Sequence, residues 1–210
     1  VADRKANRLQ VEARHAGSRG VFVGLGTFTS TSARLIANVP RKTNLVVRTA
    51  DGAVLVERVE GKIELRTEDG AIKVRETAGD LLVDTGDGAI LLEDVSGKVD
   101  ARTGDGSLRI TGTPAVLHAK SGDGAIILRV GAGTVMTDRW TVSTGDGSIS
   151  AELPEGFDAE IEADPGSDGR ARNQLALTEV SGGTRSEPTL RGRLGKGGHA
   201  LQLRTGDGTI

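Results

Sequence analysis

Seven aspartates stand in a Thr/Ser-x-Asp-Gly corner along this chain: Asp51, Asp69, Asp87, Asp105, Asp123, Asp146 and Asp207. The first five are 18 residues apart. Carboxylates repeated on stacked turns could line a calcium row, as Gly/Asp nonapeptide repeats do. Calcium takes about six to eight oxygens, however, and here only alternate nine-residue segments carry the aspartate. The competing expectation is that each aspartate caps its own turn by accepting backbone N–H groups. Arg48, Arg66, Arg102, Lys120 and Arg204 lie three residues upstream of an aspartate and would offset its charge.

A hydroxyl row runs beside the aspartates: Thr49, Thr67, Thr85, Thr103, Ser121, Thr144 and Thr205. Displayed outward it would offer a flat row for ice or glycan. One hydroxyl per turn beside a charged residue fits hydrogen bonding within the turn better. His15, His118 and His199 are isolated in the sequence, without metal-ligand spacing. The glycine-rich turns precede no helix, so they are not phosphate loops. No catalytic, cofactor-binding or metal-ligating residue is assigned. Whether Asp69, Asp87, Asp105 and Asp123 bind calcium is the open question at this level.

The elements that carry these rows are nine-residue segments between Thr43 and Ala132. Most open on glycine: Gly52, Gly61, Gly70, Gly79, Gly88, Gly97, Gly106 and Gly124. The third position is always aliphatic (Leu45, Val54, Ile63, Ile72, Leu81, Ile90, Val99, Leu108, Leu117, Ile126), and so is the fifth (Val47 to Leu128). Apolar residues two apart share one face of a strand. A fixed short period marks stacked repeats rather than one compact core. Odd and even copies differ, so the true period is 18: two strands and two corners per coil. The chain is read as an all-β, single-domain parallel β-solenoid whose 18-residue coil has two nine-residue halves. Position four points outward. One face carries Val46, Glu64, Leu82, Asp100 and His118, and the other carries Leu55, Lys73, Leu91, Arg109 and Ile127. The second is half aliphatic and could be a contact patch.

Composition narrows the function. The 210 residues carry 27 basic and 29 acidic side chains, a formal charge of −2 that gives no pull towards nucleic acid or anionic membrane. Aromatics are limited to Phe22, Phe28, Phe157 and Trp140, too few for base-stacking platforms. Cysteine is absent, which removes disulfides and thiolate metal sites. No apolar run reaches the roughly 18 residues of a membrane span. Val1 in place of an initiator methionine, and an end at Thr209-Ile210 just as a strand begins, suggest a processed or excised chain with any signal or anchor outside it.

Taken in order, residues 1–44 alternate off the strict period (Leu9, Val11, Ala13; Val21, Val23, Leu25; Leu35, Ala37, Val39) and are read as irregular first coils or a cap. Arg14, His15 and Arg19 read as a solvated turn. Regular coils fill 43–132. Over 133–210 the coils continue with insertions near 133–137 and 164–188. The first insertion puts Trp140 and Val142 at inward positions, with Trp140 as a core plug. Leu190, Leu194, Leu201 and Leu203 re-enter the solenoid, and Arg204-Thr205-Gly206-Asp207-Gly208 repeats the corner.

The segments Val39-Pro40-Arg41-Lys42-Thr43-Asn44-Leu45, Arg48-Thr49-Ala50-Asp51-Gly52-Ala53-Val54, and Leu190-Arg191-Gly192-Arg193-Leu194-Gly195 leading to Leu201-Gln202-Leu203-Arg204-Thr205-Gly206-Asp207-Gly208 resemble a bacterial adhesin-like family of unknown function. The resemblance spans roughly Leu35 to Ile210. It implies a parallel β-solenoid, exported or displayed at the cell envelope, and brings no catalytic motif. The expectation is therefore a non-enzymatic structural or interaction module of the bacterial envelope, binding an envelope protein or glycan through an extended face or loops. Self-association through the solenoid ends is a further expectation. The alternatives are a calcium-binding β-roll using the Asp-Gly ladder and an envelope polysaccharide-active β-helix enzyme.

Overall fold

The computed structural model describes residues 2–5, 8–11, 35–184 and 187–210. The chain falls into two compact units, Val1–Val39 and Pro40–Ile210. In the first, β1 (Ala2–Lys5) pairs antiparallel with β2 (Arg8–Val11). Leu35 and Ile36 are exposed and belong to no strand. Ala13, the alternation over Val21–Leu25, the basic spot at Arg14, His15 and Arg19, and both Phe22 and Phe28 lie outside the described residues.

The second unit is a parallel β-solenoid. Its strands are β3 (Leu45–Arg48), β4 (Val54–Glu57), β5 (Glu60–Thr67), β6 (Ile72–Thr85), β7 (Ile90–Thr103), β8 (Leu108–Lys120), β9 (Ile126–Val130), β10 (Trp140–Thr144), β11 (Ile149–Glu152), β12 (Ala159–Asp164), β13 (Thr178–Ser181), β14 (Leu190–Leu194) and β15 (Ala200–Thr205). Coils pair in register 18 residues apart: Leu45 beside Ile63, Ile63 beside Leu81, Leu81 beside Val99, Val99 beside Leu117. On the other face Val54, Ile72, Ile90, Leu108, Ile126 and Ile149 line up in turn. The third and fifth positions of the inner coils are sealed from water, as the alternation requires.

Three strands are longer than a nine-residue phrase allows. β6 and β7 each run 14 residues and β8 runs 13. At the second corner β8 turns at Gly112 (φ 139°), and Arg58 (φ 56°) takes a left-handed backbone between β4 and β5. β6 and β7 each pass through that corner with one left-handed residue, Glu76 or Asp94, at φ of 50° and 54°. That residue bends the strand while inter-coil pairing continues on both sides of it. It also resets the alternation. Val59, Thr77 and Val95, three residues after the fifth position, point inward and are buried. A strict two-residue period cannot find them.

The insertion near 133–137 is only partly a surface bulge. Val135 is exposed, but Met136 is buried. Thr137 N–H and the Trp140 indole both donate to the Ala115 carbonyl, at 3.0 and 3.1 Å, tying the loop to the preceding coil. Trp140 is fully buried and meets Phe157 at 5.6 Å between ring centroids.

The C-terminal third departs from linear stacking. β15 pairs in parallel with β10 on one side and β12 on the other, so the last strand lies between two earlier ones. Leu201 and Leu203 fill that central place, both buried. Beyond β12, β14 and then β13 run antiparallel. The 164–188 excursion thus ends in a short, bulged, exposed edge strand that carries Glu179 at φ 52°. Edges of this kind resist pairing with another sheet.

Two buried threonines separate packing from hydrogen bonding. Thr85 Oγ1 donates to Gly70 O at 3.0 Å and accepts from Gly88 N–H at 3.3 Å. Thr77 Oγ1, equally buried in the inward row with Val59 and Val95, has no partner. Thr77→Val should raise stability by about 1 kcal/mol, and Thr85→Val should lower it by about 1–3 kcal/mol. The thermal midpoint should move by roughly 2–4 °C per kcal/mol in a chain of this size. Shifts of the same sign in the two variants would contradict the assignment.

Candidate functional site

The hydroxyl row is internal. Thr67, Thr85, Thr103, Ser121, Thr144 and Thr205 are all buried, so none forms an ice- or glycan-facing row. Each donates to a carbonyl of the preceding coil: Ala50 O from Thr67, Gly70 O from Thr85, Gly88 O from Thr103, Gly106 O from Ser121, Gly124 O from Thr144 and Gly147 O from Thr205, at 2.7–3.0 Å. The N–H groups of Gly70, Gly88, Gly106, Gly124 and Gly208 return a bond to the same hydroxyls at 2.9–3.3 Å.

This arrangement corrects the reading of the aspartates. The corner is capped by threonine, and no described hydrogen bond or ion pair involves the side chain of Asp51, Asp69, Asp87, Asp105, Asp123, Asp146 or Asp207. All seven are exposed. Nor do the upstream cations offset them. Arg48 and Arg66 bind Glu64 at 2.8 and 3.2 Å, and Arg102 binds Asp100 at 2.9 Å. The acidic edge is a row of solvated, unpaired carboxylates. Among the described residues no three histidine, aspartate or glutamate side chains converge as a metal cluster.

Outward charges pair between coils. Arg75 bridges Glu93 at 2.6 Å and Glu57 at 3.4 Å, and Lys73 reaches Glu93 at 3.5 Å. Near the C-terminus Arg191 binds Glu162, and Arg193 binds both Glu160 and Glu179. The hydrogen bond from Arg48 holds Glu64 below the usual carboxylate range, against a desolvation that pushes the other way. Arg75 does the same for Glu93, and Gln202, followed by Arg191, does so for Glu162.

A recess lies among the inserted segments. It is open to solvent and lined by His118, Asp138, Arg139, Gly198, His199 and Ala200. His118 stands outward on β8, beside Thr141 of β10. Asp138 and Arg139 come from the loop that precedes Trp140, and Gly198 and His199 from the turn between β14 and β15. The recess therefore lies where two departures from the 18-residue repeat meet. His118 and His199, isolated in the sequence, line it together. No local signal links them, because their proximity depends on β15 lying beside β10.

A scan of family models matches residues 76–186 to Toastrack DUF4097, more than half of the chain. The chain belongs to the Toastrack DUF4097 family. The match runs from the second corner of β6 through β13, taking in the coils with insertions. The family description names no activity, and it does not carry the adhesin designation. No curated protein and no solved structure matches the chain.

Two outcomes follow from the charges. Glu64, Glu93 and Glu162 have folded pKa values below the ordinary 4.5. Their stabilisation is present above that value and is lost as pH falls through the lower folded values. The thermal midpoint should drop below about pH 4.5, and Glu93→Gln should flatten part of that fall; an unchanged acid limb in E93Q would contradict the assignment. For the acidic edge, like charges about 5 Å apart repel by roughly 0.8 kcal/mol in water, and salt screens them. Sodium and calcium chlorides at equal ionic strength should raise the midpoint equally. A rise specific to calcium would overturn the solvated-edge description and support a calcium row.

Proposed function

We propose that this Toastrack solenoid is a non-enzymatic interaction module of the bacterial cell envelope, adhesin-like in binding an envelope protein or glycan through an extended face or its loops. The observation that supports the reading is the outward row on the second face. Leu55, Lys73, Leu91, Arg109 and Ile127 stand in register on consecutive coils. Leu55 is 59 % exposed, and Leu91 and Ile127 are half-buried. An aliphatic row interleaved with cations suits a broad, partly apolar partner surface. The enzyme alternative asks for paired carboxylates across a cleft. The recess holds one carboxylate, Asp138, and the outward carboxylates Glu57, Glu64 and Glu93 are occupied by arginine.

The test is co-sedimentation of the purified chain with envelope and cytosolic fractions of the source bacterium. Preferential recovery with the envelope, lost in a Leu91→Glu, Ile127→Glu double variant of unchanged thermal midpoint, is expected. Equal partition between the fractions, or an unaffected double variant, would contradict the reading.

A further inference from the structure

We propose that the recess between the 131–139 loop and the β14–β15 turn is a binding site for a single oxyanion, a carboxylate or phosphate group. It goes beyond the envelope reading and does not rest on it.

The recess gathers donors that lack acceptors. Arg139 is exposed and makes no ion pair among the described residues; its own backbone N–H goes to Asp138 Oδ1 at 2.7 Å. Arg102, Arg191 and Arg193, by contrast, each hold a carboxylate. The N–H groups of Gly198 and His199 donate to no described acceptor, while the His199 carbonyl is engaged by Glu160 N–H. Two imidazoles, His118 and His199, complete the lining.

Among the described residues no nearby carboxylate is paired with the Arg139 guanidinium or with these N–H groups. Asp138 is the lining carboxylate, and one of its oxygens takes the Arg139 amide. Asp100, beside His118 in register, holds Arg102 through Oδ2 at 2.9 Å, while its Oδ1 is buried without a partner and Asp100 is outside the lining. Glu160, beside Ala200, holds Arg193 at 2.9 Å. A guanidinium, two imidazoles and two backbone N–H groups thus share one concavity with a single partly used acceptor. A guanidinium fork and consecutive backbone N–H groups are what carboxylate and phosphate oxygens bind best.

The lining also explains its place in the fold. The shallow recess on the regular coils, at Arg75, Glu76, Glu93, Asp94 and Thr111, has its arginine already paired with Glu93 and Glu57, whereas this one is built from inserted chain. The 131–139 loop and the β14–β15 turn supply it on either side of β10 and β15.

The experiment is amide-shift mapping of the full chain, titrated separately with inorganic phosphate and with glucuronate, to about 50 mM, a range that reads millimolar affinity. Saturable shifts confined to Arg139, Gly198, His199 and the His118 neighbourhood are expected for at least one probe, and the responding probe tells phosphate from carboxylate. Arg139→Gln, at an exposed position, should keep the thermal midpoint and weaken binding roughly tenfold or more. No saturable shift with either probe, shifts spread over the arginines of all coils, or wild-type affinity in R139Q would each overturn the proposal. Loss of envelope co-sedimentation with intact oxyanion binding would fault the functional reading alone, and the reverse result would fault this site alone.

Discussion

One hydroxyl per coil holds the solenoid's sharp corner. In the Thr-x-Asp-Gly corner, the threonine side chain turns inward, donates to the coil before it and accepts from the N–H of the corner's glycine, three residues on. This joins adjacent coils at the point where the strand ladder is interrupted. Buried backbone groups at a turn need a partner, and the hydroxyl supplies one in each direction. The glycine is equally constrained. A Cβ on Gly88 would overlap the Gly70 carbonyl, and Gly106 and Gly124 meet their predecessors in the same way. The coils can approach this closely only because no side chain stands between them.

The remaining features follow from that corner. With the hydroxyl inside, the aspartate next to the glycine is left outside, unpaired and solvated. The arginines upstream are free to bind outward carboxylates on their own face. The opposite corner is looser. Its hydroxyl contact is not repeated from coil to coil (Thr111 donates to Leu92 O and accepts from Asp94 N–H, both at 3.4 Å), and a left-handed Glu76 or Asp94 bends a continuous strand instead. Each such non-glycine residue costs on the order of 1 kcal/mol, a cost that the uninterrupted ladder of β6, β7 and β8 offsets.

Much of this was legible in the sequence. Leu81 and Val83, or Ile90 and Leu92, show the two-residue spacing of inward strand positions, and the 18-residue register follows from the alternation of corner types. Trp140 as a plug could be placed by aligning backwards from Asp146-Gly147. Three things were not legible. Val59, Thr77 and Val95 are hidden because a left-handed residue shifts the phase of the pattern. The capping role fell to Thr85 and its equivalents rather than to Asp87, since either side chain can bond a turn and only packing decides which faces inward. The recess depends on β15 entering between β10 and β12, a long-range pairing with no local signature at His118 or His199.

The central claim is that the threonine hydroxyls clasp the coils. Native-state amide hydrogen exchange at Gly70, Gly88, Gly106 and Gly124 tests it most directly, because these N–H groups bond only to a buried side-chain oxygen. The account predicts that they exchange as slowly as the strand amides of β6 and β7, through opening of whole coils. Exchange at the rate of the exposed turn at Gly156 would show that the corners open independently, and would contradict it.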